Sequence, residues 1–178
     1  MIRGTVLSLL LVLAFASCAA QLVPPPSAQS ILDTALQQAH VSDRTVFVIF
    51  HASWCGWCHK LDAYLNTPAV KPVIDANFIV IHIDVMERGA KKDSLENPGG
   101  MEMLKRWGGE KSGVPFYVFL NLKGTKIGDS NVMPDQQNIG YPGSEEEITA
   151  FGDLLKKTAP HMTGTELATI LARLRKPS

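Results

Sequence analysis

Cysteine is scarce in this chain: three occur in 178 residues, at positions 18, 55 and 58. So few exclude a scaffold held together by several disulfides, and a chain of this length can bury a core without them. A surplus of either charge is also missing, since Lys plus Arg and Asp plus Glu number 17 each. Nothing therefore suggests nucleic acid or an acidic surface as a partner. No internal repeat and no long run of charge is visible. No apolar stretch is long enough to cross a bilayer comfortably: the longest, Val6 to Ala16, is broken by Ser8 and has no basic stop after it. Downstream of Cys58 there is no second C-x-x-C and no paired histidines, which a structural zinc site usually shows.

What is present fits one globular domain behind an export signal. Hydrophobic residues make up 46% of the chain and charged residues 19%, an ordinary globular balance. Residues 1–20 read as a secretory signal: Arg3 gives the positive start, and Ser17-Cys18-Ala19-Ala20 supplies small residues for cleavage after Ala19 or Ala20. Phe15-Ala16-Ser17-Cys18 also resembles a bacterial lipobox, with Phe15 where such boxes usually carry Leu. In that alternative Cys18 is acylated, and a lipid anchor is the only membrane contact. Either way Cys18 leaves the redox chemistry. The mature chain then keeps Cys55 and Cys58 in a periplasmic or otherwise extracytoplasmic, oxidising compartment. Residues 21–29, with Pro24-Pro25-Pro26, read as an extended linker, and 30–178 as the domain.

Within that domain, Ser30-Ile31-Leu32-Asp33 is expected to cap a helix whose apolar face carries Ile31, Leu32, Ala35, Leu36 and Ala39. Thr45 to Phe50 is β-branched and aromatic without polar alternation, the pattern of a strand covered on both faces. A helix follows from Cys55, with Cys58, Leu61 and Leu65 on one face, and ends near Thr67-Pro68. Phe78 to Asp84 reads as a second buried strand. Met86 to Gly100 reads as a long loop, and Met101 to Trp107 as a short helix. Val114 to Leu120 is a third strand, turning at Asn121 to Gly124 into a short one over Thr125 to Gly128. Ser144 caps a helix to about Lys157, and a last helix follows Thr163, with Leu167, Ile170, Leu171 and Leu174 in one stripe. The order implies an α/β sandwich, a central mixed β-sheet flanked by helices, with extra helices at both ends.

The stretch HASWCGWCHKLD, residues 51 to 62, carries the chemistry, and its spelling admits three readings. Cys55 to His59 spells the attachment site of a c-type haem, but the motif sits between apolar strands, which weighs against a small helical cytochrome. Cys55, Cys58, His51 and His59 could supply a metal with donors, although His51 ends a strand and His59 follows the pair. A redox dithiol has the physical argument. A helix starting at Cys55 aims free N–H groups and the positive dipole end at its sulfur, stabilising the attacking thiolate. Cys58, one turn on and on the apolar face, lies within reach to resolve a mixed disulfide.

VFVIFHASWCGWCHKLD, together with SGVPFYVFLNLKGTKI some 55 residues later, resembles the thioredoxin superfamily. The likeness covers about Thr45 to Lys157 and is closest to exported thioredoxin-like proteins with W-C-G-W-C-H-K. The resemblance implies a thioredoxin-like fold and a thiol–disulfide oxidoreductase, with Cys55 attacking and Cys58 resolving. Trp54, Gly56 and Trp57 would line the substrate side. Pro115 would be a cis-proline packed on the disulfide, and Val114 would offer its backbone to substrate. The implied partners are exported proteins bearing disulfides or dithiols, and a second protein that recycles the pair. No cofactor and no metal is expected. A thioredoxin-fold metal chaperone or binding module without redox turnover is the alternative. Two departures stand out. Ile49 occupies the position of the family's buried aspartate, leaving the proton acceptor for Cys58 unassigned between His51, His59 and water. The segment from Met86 to Gly100 is extra and is expected to shape partner choice.

Overall fold

Seven residues, Thr45–His51, form the central strand β1, and all but His51 are buried. The structure, a computed structural model, describes residues 24–176. The expected signal segment, its cleavage site and Cys18 lie outside them. β1 pairs in parallel with β2 (Phe78–Asp84), from Thr45 opposite Phe78 to His51 opposite Asp84. On its other side it runs antiparallel to β3 (Phe116–Leu120), with Val46 opposite Leu120 and Phe50 opposite Phe116. β4 (Lys126–Asp129) continues the sheet in the order β2-β1-β3-β4. The fold is the mixed α/β sandwich that the sequence implied.

Both faces of β1 are apolar because both are covered. Phe47 and Ile49 point into a core built with α2 (Gly56–Leu65), α3 (Lys71–Asn77), α6 (Glu145–Thr158) and α7 (Gly164–Arg175). Val46, Val48 and Phe50 point to the opposite core, closed by α1 (Ala28–Ser42) and α5 (Gly100–Arg106). Phe47 anchors the first core, stacked on Phe119 at 4.4 Å and edge-on to Tyr117 and Phe78 at 5.4 and 5.7 Å. Such ring pairs contribute about 0.5–1.5 kcal/mol each beyond the area they bury. The terminal helix is tied in by the Tyr64 hydroxyl, which donates to the Ile170 carbonyl at 3.0 Å.

Several boundaries differ from expectation. α1 is capped by Ser27, whose hydroxyl accepts from the Ser30 N–H, so it begins inside the stretch read as linker. Two contacts fix that start: Ala28 N–H donates to the Pro98 carbonyl, and Asn97 Nδ2 donates to that of Pro26. Asp33 instead accepts from the Gln29 side chain. α3 lies where the sequence predicts no helix, since Thr67-Pro68 ends the one before it. Pro72 stands in the first turn, where its missing N–H costs nothing. The long loop contains the short helix α4 (Lys91–Leu95). β3 starts at Phe116 rather than Val114, because the Val114–Pro115 peptide is cis and precedes the sheet.

Candidate redox site

Where β1 ends, the chain turns through Ala52 to Trp54 and enters α2 with Cys55 as the N-cap. Cys55 N–H donates to the Ala52 carbonyl, and Cys58 N–H donates to Cys55 Sγ at 3.1 Å. The first free N–H groups of α2 are thus turned toward a sulfur, the placement that favours a thiolate there. Cys55 and Cys58 are joined in a disulfide, with Cα atoms 5.3 Å apart. Both are buried, Cys58 almost wholly and Cys55 with 4% of its surface exposed. Ala52 and Val114 pack around them, and Cys55 Sγ lies 3.4 Å from the Val114 carbonyl oxygen. The two motifs that the sequence separates by 55 residues meet here. Ile49 stays in the aromatic core, so no carboxylate enters from β1.

The segment after β2 brackets the redox turn. Glu87, almost fully buried, accepts from both the backbone N–H and the hydroxyl of Ser53, at 2.5 and 2.8 Å. His59 closes the same residue from the other side, its Nε2 lying 2.9 Å from the Ser53 carbonyl oxygen. That bond needs the Nε2–H tautomer and directs the ring to the turn rather than to a sulfur. Trp54 Nε1 donates to the Met86 carbonyl at 2.8 Å, and the Arg88 guanidinium covers the Trp54 ring at 3.8 Å. Met86 adopts φ +57°, a left-handed backbone that costs energy for a methionine and here directs its carbonyl at Trp54.

On the opposite side Trp57 stacks on Tyr141 with centroids 6.1 Å apart. Tyr141 is delivered by Gly140, whose φ of +52° suits glycine and which rests against Pro115. Gly56 is exposed, with open space around its Cα. Trp54 and Trp57 are 43% and 59% exposed, unusual for tryptophan, and each immediately precedes one of the two cysteines.

His51 leaves the strand toward Asp84, 3.0 Å away, and packs edge-on to His82, which contacts Asp62 at 2.8 Å. Burial alone would lower the His51 pKa, but the Asp84 hydrogen bond and the charges of Asp84, Asp62 and Glu87 outweigh it and raise it above 6.5. Burial would likewise raise Asp62, but the His82 bond and charge prevail, with His51 and His59 adding to them, and hold it below 3.8. His51 Nδ1 is buried without a partner. Among the described residues, no group of three or more His, Cys, Asp or Glu side chains is placed to hold a metal ion.

The structure therefore gathers Cys55, Cys58 and Val114, with Pro115 joined to Val114 by a cis peptide. It sets Trp54 and Trp57 next to the cysteines in the chain and leaves Gly56 open. Glu87, Arg88, Lys60 and Tyr141 were not foreseen. The unusual length of the Met86–Gly100 segment was the available signal for Glu87 and Arg88; Tyr141 lies in a loop whose spacing carries none. A plant relative, Protein disulfide isomerase-like 1-1 of Arabidopsis thaliana, is 26% identical over an alignment of 118 residues that covers 61% of this chain. The chain spans 21% of the length of that curated relative. Among solved structures, a disulphide isomerase from Xylella fastidiosa Temecula1 is 20% identical, covering 94% of this chain and all of the other at a TM-score of 0.49. A DsbH oxidoreductase is 18% identical, covering 86% of this chain and 95% of the other at a TM-score of 0.47. The family profile described as thioredoxin-like matches residues 27–121, more than half of the chain, and the protein belongs to that family.

Proposed function

We propose that this protein is an exported thiol–disulfide oxidoreductase in which Cys55 attacks and Cys58 resolves. The observation that carries the reading is the Cys55 sulfur at the N-cap of α2, accepting the Cys58 N–H and facing the Val114 carbonyl beside Pro115. In the reducing direction, the Cys55 thiolate attacks a substrate disulfide; a Cys55–substrate disulfide forms as the substrate S–S bond breaks. One substrate sulfur leaves as a thiolate and takes a proton from solvent. Cys58, deprotonated, then attacks Cys55, re-forming the internal disulfide and releasing the second substrate thiol. Two electrons pass from protein to substrate, and a partner dithiol restores the reduced pair. The same steps run backward for oxidation. The Val114 backbone supports a short antiparallel pairing with the bound segment.

Replacing the resolving thiol tests the roles. Cys58→Ala is expected to accumulate mixed disulfides through Cys55 in extracts of the native compartment. Trapping by Cys55→Ala and not by Cys58→Ala would reverse the assignment. Export is read from the first twenty residues. Intact mass of the chain recovered from the producing cell is expected to show cleavage after Ala19 or Ala20; an acyl group on Cys18 would make it a lipoprotein.

A further inference from the structure

Each tryptophan beside the disulfide carries a cation. The Arg88 guanidinium lies over Trp54 at 3.8 Å, and Lys60 Nζ stands 4.8 Å from the centroids of both Trp57 and Tyr141. Both cations are exposed. Elsewhere on the surface cations meet carboxylates, as in Lys71–Asp75, Lys126–Asp129 and Arg175–Glu145. Beside the disulfide they do not: among the described residues the ion pairs include neither Lys60 nor Arg88. The neighbouring acids are engaged otherwise. Glu87 spends both oxygens on Ser53, Glu96 accepts from the Glu87 N–H, and Asp62 faces His82. A chain with balanced total charge thus places two cations without a carboxylate partner, Arg88 and Lys60, on the tryptophans that precede Cys55 and Cys58. The flank at Arg88 is held in place by the left-handed Met86 and the buried Glu87.

We propose that the protein selects acidic substrates: segments with Asp or Glu on both sides of the reacting cysteine, whose carboxylates sit against Lys60 and Arg88. The proposal rests on the redox reading above and adds the chemistry of the partner. A cation already lying on an aromatic face keeps its stem ordered, so a carboxylate gains the charge contact without first immobilising the side chain. Two like charges beside the disulfide also accelerate encounter with an anionic segment.

The test uses the reduced mature protein and three peptide disulfides whose cysteine is flanked by Glu, by Gln or by Lys. Single-turnover rates at low ionic strength are expected to run Glu over Gln over Lys, with about tenfold between the extremes. The spread should collapse near about 1 M salt, where the screening length falls to about 3 Å. Lys60→Glu combined with Arg88→Glu should invert the order, and because the salt series uses the unaltered chain, the conclusion does not depend on that variant folding. Equal rates for the three peptides, or a spread indifferent to salt, overturn the proposal and leave the redox reading intact. Failure to exchange with any of them overturns both.

Discussion

β1 passes through two environments. From Thr45 to Phe50 it lies buried between two helical layers, with Phe47 packed against the rings of Phe78, Tyr117 and Phe119. One residue further, His51 meets Asp84 across the parallel pair and His82 beyond it, and Ser53 is held by Glu87 and His59. Polar contacts accumulate where the helices stop covering the strands, and the disulfide stands at that border. The buried half of β1 sets whether the chain folds; the border sets how the sulfurs are presented. Substitutions on the two sides should separate stability from chemistry.

Phe47→Ala should have the largest effect on stability. It removes a fully buried ring packed on Phe78, Tyr117 and Phe119, and such truncations cost about 3–5 kcal/mol. Urea denaturation should show that loss, while the reduction potential of the folded fraction stays unchanged. A large change in potential would mean that the core and the redox corner are not separable.

Glu87→Ala comes next. It leaves the Ser53 N–H and hydroxyl without their acceptor at a nearly buried position, a loss of about 1–3 kcal/mol. Unlike the core substitution, it should also slow disulfide exchange, because Ser53 leads directly into Trp54 and Cys55. Glu87→Gln retains an oxygen for the N–H and should recover most of the rate. If Gln behaves as Ala does, the carboxylate's charge matters at this site and the bracket geometry does not.

This half-and-half character also explains what could be read from residues alone. Apolar runs announce strands, so Thr45–Phe50 and Phe78–Asp84 are plain, and the dithiol and Pro115 come with the motifs around them. Only the first run is covered on both faces, however, and β2 is partly exposed at Val80, Ile81, His82 and Asp84. The border was harder. Glu87 bonds Ser53 from 34 positions away, and Tyr141 reaches Trp57 from a loop without periodicity. A buried carboxylate that serves one turn leaves no pattern in its own neighbourhood. α3 was hidden for a different reason, since proline reads as a breaker unless the helix start is known.

The His51–Asp84 and His82–Asp62 pairs give a pH dependence that the apolar half cannot. His51 has its folded pKa above 6.5, so its contribution is complete below 6.5 and is lost as pH rises through the folded value. Asp62 has its folded value below 3.8, so its contribution is present above 3.8 and is lost as pH falls through the folded value. The partnerless Nδ1 works against protonating His51, yet three carboxylates act in the other direction. The wild type should therefore exceed His51→Asn in stability across the window between these limits, and the gap should narrow on the alkaline side. A gap independent of pH would show that His51 is neutral throughout.

The smallest effect is expected at His59, and it bears directly on the potential of the couple. Two influences on the sulfurs oppose each other. The N-terminus of α2 stabilises the Cys55 thiolate, which favours the reduced pair and makes the disulfide more oxidising. Cys58 is almost wholly buried beside Ala52 and Val114, which disfavours a thiolate there. A histidine facing the sulfurs would tip the balance toward a strong oxidant, but His59 bonds the Ser53 carbonyl instead. The couple should then lie at about −270 to −180 mV, between thioredoxin and the strongly oxidising enzymes. His59→Ala should move it by less than about 30 mV, equivalent to about 1.4 kcal/mol for two electrons. Equilibration with glutathione buffers measures both quantities. A wild-type value near about −120 mV, or a large shift on removing His59, would mean that the imidazole leaves Ser53 in the reduced state and serves the Cys55 thiolate.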